Sequence, residues 1–180
     1  MLTLAFSDHR GAENSGRLAV GGNIGPLPLN FPSARTMNIE PIHSLEDVTA
    51  LLHTCRLSTD DIPSESPPFF FGIRAGGRLI AAVGLELYGD VGLLRSLAVD
   101  DGWRGQRLGS ALVAFAETHA FNHGANTLYL FSSTAVPFFR GHGYVVTRRD
   151  EAPEAIRKTP QYAGRCSSEA FMCKTLTLLA

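Results

Sequence analysis

The stretch Arg95–Glu117, RSLAVDDGWRGQRLGSALVAFAE, constrains the fold more than any other part of the chain. Apolar residues run as far as Val99, in the manner of a strand. A short turn then holds Arg104, Gly105, Gln106, Arg107 and Gly109, and Leu108, Ala111, Leu112, Phe115 and Ala116 follow at helical spacing. A strand that feeds straight into a helix belongs to a domain in which sheet and helices are mixed.

The helix starts inside the glycine turn, and that has a chemical consequence. The first N–H groups of a helix have no intrahelical partner, and the peptide dipoles place partial positive charge at the same end. Glycines let an anion approach that backbone closely. Arg104, Gln106 and Arg107 add donors, so Gly105 to Ser110 suits a phosphate-bearing ligand. The same spacing also fits a tight strand-to-helix turn with solvated basic residues. The formal net charge is −1 over 180 residues, so an anion site has to be local, and neither nucleic acid nor an anionic membrane is an expected partner. GxxxxGK[ST] and GxGxxG are both absent, which excludes a P-loop and a dinucleotide fingerprint.

The rest of the chain supplies the other layers. Residues 1–36, broken by Gly21, Gly22, Gly25, Pro26, Pro28 and Pro32, keep no period and read as a flexible leader or extension. Residues 37–180 read as one domain. MNIEPI suits a first strand. SLEDVTALLHTC suits a helix capped by Ser44 with Asp47 in its first turn, and RLSTDDI a second short helix or turn. FFFGIRA and RLIAAVGLELY flank Gly76-Gly77 as a hairpin, and Gly89-Asp90 joins the latter to GLLRSLAVD as another. The helix over 107–123 ends at Gly124 in a left-handed cap. NTLYLFS and YVVTRR read as strands around a short helix with Pro137 in its first turn, and SEAFMCKTL supplies a last strand. This is an α/β domain of mixed, α+β type with a largely antiparallel sheet.

Three cysteines, Cys55, Cys166 and Cys173, make no disulfide framework and no CxxC pair, which points to a reducing cytoplasm and argues against structural zinc. No secretory leader or membrane span is expected. His119 and His123 stand four apart on a helix, a metal-compatible spacing with no third ligand in view. The cysteines read as small buried hydrophobes or as ligands for a thiophilic metalloid. Trp103, Phe138 and Phe139 read as packing.

Arg104, Gly105, Gln106, Arg107, Leu108 and Gly109 resemble the Gln/Arg-x-x-Gly-x-Gly/Ala segment of the GNAT N-acetyltransferases, and FFRGHGY resembles that family's aromatic-x-x-x-Gly-aromatic segment. The resemblance runs from Met37 to the C-terminus. VGLELYGDVGLLRSLAVD and APEAIRKTPQYAGRCSSEAFMCKTL are similar to the branch associated with arsenic resistance. Two positions depart from the pattern: Arg107 replaces the first glycine, and Phe139 stands where many members have a proton-donating tyrosine.

The resemblance implies an acyl-CoA N-acyltransferase fold and acetyl transfer from acetyl-CoA to a small-molecule amine, an amino acid or toxic analogue, by an enzyme that can form a homodimer. Two neighbouring strands would part to admit the cosubstrate. Its pantetheine arm would lie along Leu97, Ala98 and Val99, its pyrophosphate would meet Arg104, Gly105, Gln106, Arg107, Leu108, Gly109 and Ser110, and Phe138 would contact it. A main-chain N–H near Leu97 would meet the oxyanion. Glu86, an acid in an apolar strand, is the candidate base. Arg95 either grips a substrate carboxylate or an oxyanion, or pairs with Glu86. Ser132, Ser133 and Tyr144 are candidates to protonate the thiolate. Acceptor choice would sit in residues 54–68 and 148–168. The alternative is a weakly catalytic CoA- or metalloid-binding module.

Overall fold

The computed structural model describes residues 38–63, 66–164 and 169–177. The expected leader, residues 1–36, and Cys166 lie outside them. In chain order the elements are β1 (Glu40–Ile42), α1 (Leu45–Thr54), β2 (Phe69–Ala75), β3 (Arg78–Tyr88), β4 (Val91–Val99), α2 (Leu108–Asn122), β5 (Thr127–Ser132), α3 (Val136–Gly141), β6 (Val145–Thr147), α4 (Glu154–Arg157), α5 (Pro160–Gly164) and β7 (Ala170–Thr175).

Local chemistry sets most of these boundaries. Ser44 Oγ accepts the Asp47 N–H at 3.1 Å and opens α1 as its sequence requires. Gly76 and Gly77 both have positive φ, 57° and 82°, the conformation that a two-residue hairpin needs if its turn is to match the twist of β2 and β3. Gly124, at φ +92°, lies just past the end of α2. RLSTDDI forms turns rather than a helix, because Leu57 and Ile62 are drawn onto α1 and β2 instead of pairing at helical spacing. YVVTRR contributes only a three-residue strand. The short helices α4 and α5 were not legible as helices in a segment punctuated by proline.

The sheet has seven strands in the order β1-β2-β3-β4-β5-β7-β6. Every neighbouring pair is antiparallel except β4 and β5. Helix α2 covers one face with Leu108, Leu112, Val113, Ala116 and Ala120, against Val83, Leu85, Leu94, Leu97 and Leu130 among others. The expected face included Ala111, which is exposed; Val113 takes its place, since a 3.6-residue repeat carries Gly109, Leu112, Val113, Ala116 and Ala120 along one side. The opposite face has two separate covers. Val48, Leu51 and Leu52 of α1 pack on Phe70, Leu79, Ala82 and Ala98, while Ile156 of α4 packs with Val91, Leu93, Phe131 and Phe171.

Candidate active site

Strands β4 and β5 run side by side for only three residue pairs: Val91 with Thr127, Gly92 with Leu128 and Leu93 with Tyr129. Beyond them β5 keeps only its partner β7, through Leu130, Phe131 and Ser132, while β4 stays bound to β3 alone. The cause lies in β4 itself. Its register against β3 jumps from Gly84–Arg95 to Ala82–Ala98, so that Ser96 and Leu97 share one partner position. Ser96 takes φ +51° to make this bulge, a conformation that costs an L residue about 1–2 kcal/mol. A bulge bends its strand and sharpens the twist, which turns β4 away from β5. Leu97, Ala98 and Val99 thus lie on the diverging half, as the sequence-based expectation of parted strands requires. The Val99 carbonyl already accepts from Arg104 Nε at 3.2 Å and from Cys55 Sγ at 3.5 Å.

At the far end of β4 the chain makes one 3-10 turn, Asp101–Trp103, and enters α2. Gly105 (φ +78°) and Arg107 (φ +60°) are left-handed, and Arg107 is the residue before the first helical turn, with no side chain capping that end. The first helical hydrogen bond here runs from Ala111 N to Arg107 O, so the N–H groups of Leu108, Gly109 and Ser110 precede the intrahelical ladder. Left-handed residues in such a loop can turn successive amides toward one side, where an anion is received. Arg107 therefore does adopt the conformation for which its position prefers glycine. Gln106 and Arg107 are exposed beside this end of the helix. Arg104 is turned inward: its guanidinium holds Asp101 at 2.6 Å and the Val99 carbonyl, and its N–H donates to Asp101 O. It closes the loop from behind. A Cβ on Gly109 would stand 3.6 Å from the Phe138 ring, which places Phe138 against the loop.

The other end of the diverging strands carries charge. Glu86 pairs in register with Leu93, the last residue of β4 bonded to β5, so its strand position adjoins the point of separation. Its Oε1 accepts from Arg95 Nη1 at 2.8 Å, and its Oε2 accepts from the Tyr88 hydroxyl. Burial, and after it the Glu86 carboxylate, hold the Tyr88 phenol above the ordinary tyrosine range. Arg95 is fully buried. Its Nη2 meets Asp61 Oδ1 at 2.6 Å, its Nη1 also meets the Asp61 carbonyl at 3.0 Å, and its Nε reaches Ser96 Oγ at 3.4 Å. Gly84 makes this arrangement possible: a Cβ there would come within 3.1 Å of Arg95 Cγ and 2.9 Å of the Phe70 ring. The ion pair expected between Arg95 and Glu86 is formed.

Ser132 is buried at the end of β5, and its Oγ accepts the Ala135 N–H at 3.0 Å, shaping the entry to α3. Phe139 and Tyr144 lie in the core on the α2 face, rings 5.5 Å apart. Burial first, then the Glu117 carboxylate, keep the Tyr144 proton tightly held. His119 and His123 stack at 4.1 Å between ring centres, and the described residues hold no cluster of three metal-ligating side chains. No described helix is long and apolar enough to cross a membrane.

Sequence reasoning missed two members of the polar network. Tyr88 follows Glu86 by two residues, so strand alternation puts both on one face and was a usable signal. Asp61 lies in the α1–β2 loop, 34 residues from Arg95 with β2 and β3 between, and no spacing rule joins them.

The model of the acetyltransferase (GNAT) family matches residues 38–144. No curated protein sequence matches the chain. N-acetylglutamate synthase from Neisseria gonorrhoeae, complexed with coenzyme A and N-acetyl-glutamate, is similar with a TM-score of 0.68 and 21% identity; the likeness covers 81% of this chain but only 36% of that one. An acetyltransferase of the GNAT family from Staphylococcus aureus Mu50 has a TM-score of 0.64 at 16% identity, covering 78% of this chain and 99% of that one. An aminoglycoside 6'-N-acetyltransferase complexed with coenzyme A gives 0.59 at 16%, covering 78% and 98%. At these identities the structural likeness speaks for the fold alone. The family match takes in the bulged strand, the glycine turn and the helix that follows it, and on that ground the chain belongs to the GNAT acetyltransferase family.

Proposed function

We propose that this chain transfers an acetyl group from acetyl-CoA to the amine of a small molecule. The observation that carries the reading is the parting of β4 from β5 after Leu93, with the uncapped start of α2 at the far end of the freed edge. A diphosphate would sit on the amides from Gly105 to Ser110, beside exposed Gln106 and Arg107. Arg104 serves this site from behind, by holding the loop. The thioester arm would run along Leu97, Ala98 and Val99, and Phe138 would border it. Two of the solved structures with this fold are complexed with coenzyme A, which supports the choice of cosubstrate.

Transfer needs an amine without its extra proton, a donor for the oxyanion and a fate for the thiolate. Glu86 is the base: it is buried, it adjoins the separation point, and its second oxygen is steadied by Tyr88. Arg95 acts as a positioning residue that fixes the Glu86 carboxylate. A main-chain N–H at the Ser96–Leu97 bulge serves the oxyanion. Ser132, whose oxygen already accepts from Ala135, keeps its own hydrogen to donate to the departing sulfur. A cytoplasmic setting rests on the sparse cysteines, and a role in arsenic resistance on sequence resemblance.

Calorimetry with coenzyme A, followed by thiol release from acetyl-CoA across a panel of amines, tests the reading. Heat of binding together with amine-dependent thiol release supports it. Phe139, buried and without a hydroxyl, favours a second reading, a CoA-binding module with little turnover. Binding with no thiol release for any amine would select that one.

A further inference from the structure

The network at the acceptor end contains two carboxylates and one guanidinium. Arg95 has five N–H groups. One reaches Ser96 Oγ, two on Nη1 meet Glu86 Oε1 and the Asp61 carbonyl, and one on Nη2 meets Asp61 Oδ1. The guanidinium is fully buried and the Asp61 side chain nearly so, at 1% and 15% exposure. Asp61 is not a passing surface contact. Ile62 N donates to Thr59 O at 3.0 Å, Asp60 N donates to Ser58 Oγ at 3.2 Å, and Leu57 and Ile62 on either side pack into the core beneath α1. The turn that carries Asp61 is thus seated on the sheet next to Ala98, at the diverging part of β4.

We infer that Asp61 selects the acceptor: by occupying Arg95 it makes this end of the cleft a site for amines with no carboxylate next to the reacting nitrogen. The inference rests on the acetyl-transfer reading and names the substrate class of that same site. Without the Asp61 carboxylate, Arg95 and Glu86 would form a neutral pair, and Nη2 would face an incoming carboxylate with its donors open. With Asp61 in place one Nη2 donor is taken and the guanidinium charge is shared between two carboxylates, so a substrate carboxylate would meet two like charges in a site largely screened from water. An alkyl or arylalkyl amine, arriving as an ammonium, meets the same two carboxylates with favourable sign. Asp61 therefore works through Arg95, as a specificity-determining residue that need not touch the reacting atoms.

Matched acceptors that differ only in the carboxylate test this: phenethylamine with phenylalanine, tyramine with tyrosine, histamine with histidine. Wild-type protein is expected to favour the decarboxylated member of each pair by about tenfold or more in kcat/KM, the scale of a misplaced like charge. Asp61→Asn is expected to narrow or reverse that ratio through the KM of the carboxylated member, with the KM for acetyl-CoA unchanged, and Asp61→Glu to restore the preference. Asp61→Ser, checked for an unaltered thermal melt, guards against a folding defect. A wild-type preference for the carboxylated member overturns the inference, as does an unchanged ratio in both folded variants. Coenzyme A binding with no thiol release from these pairs or from any amine of the wider panel sinks acetyl transfer itself, and the acceptor inference with it; turnover with an unmoved ratio sinks the inference alone.

Discussion

The two ends of β4 solve their binding problems with different materials. At its C-terminal end the candidate anion site is main chain: left-handed Gly105 and Arg107, then the leading amides of α2, with Arg104 turned away to brace the loop. At the separation point the candidate acceptor site is side chain: Glu86 and Tyr88 from β3, Arg95 from β4, Asp61 from the α1–β2 loop. A site made of backbone is set by the conformation of a few consecutive residues, and most side-chain changes there are tolerated. A buried charge network depends on every member, because losing one leaves its partner unpaired away from water. The cofactor end should therefore be robust and the acceptor end brittle.

The largest expected effect is at the acceptor end. Glu86→Gln keeps the shape and one acceptor for Arg95 but removes the base, and turnover should fall by about 10²–10³-fold with the KM for acetyl-CoA unchanged. A near-normal rate would remove Glu86 from that role. Next comes Arg95→Met, which strands Glu86 and Asp61 together; denaturant unfolding should show a loss of about 3 kcal/mol. A loss below 1 kcal/mol would mean that the network is decorative and would erase the contrast between the two ends.

At the anion end, Gly109→Trp should weaken coenzyme A binding by about tenfold to a hundredfold, the value of one or two charge-assisted hydrogen bonds. The added side chain points at Phe138 and Val99, so calorimetry should be paired with a melt; unchanged affinity would contradict the phosphate-loop reading. The smallest effect sharpens the comparison. Arg107→Gly relieves a left-handed arginine at φ +60°, worth about 1–2 kcal/mol, against the entropy that glycine adds to the unfolded chain, about 0.5–1 kcal/mol. Stability should rise by about 0–1.5 kcal/mol. Coenzyme A affinity should fall only slightly if the backbone carries the site, and steeply if the guanidinium does.

The same division explains what could be read in advance. The hairpins at Gly76-Gly77 and Gly89-Asp90, the Ser44 cap and the glycine turn before α2 are local devices, each complete within a few residues. Their physics is visible in a short window, and the family motif lies in one of them. Ala111 was misassigned because it lies one position off the buried stripe of α2, where the pattern alone does not decide between neighbours. Glu86 and Arg95 were legible as unusual residues in apolar strands. Whether they met each other or a ligand was not.

The amino-acid sequence by itself determined most of the elements, the order in which they alternate and the anion-ready turn, because backbone conformation answers to nearby residues. Only the tertiary structure decided that the bulge at Ser96 and Leu97 would part β4 from β5, and that Asp61 would cross from its loop to claim Arg95. Those outcomes depend on register between strands and on which charges are buried together, and both exist only after the chain has closed on itself.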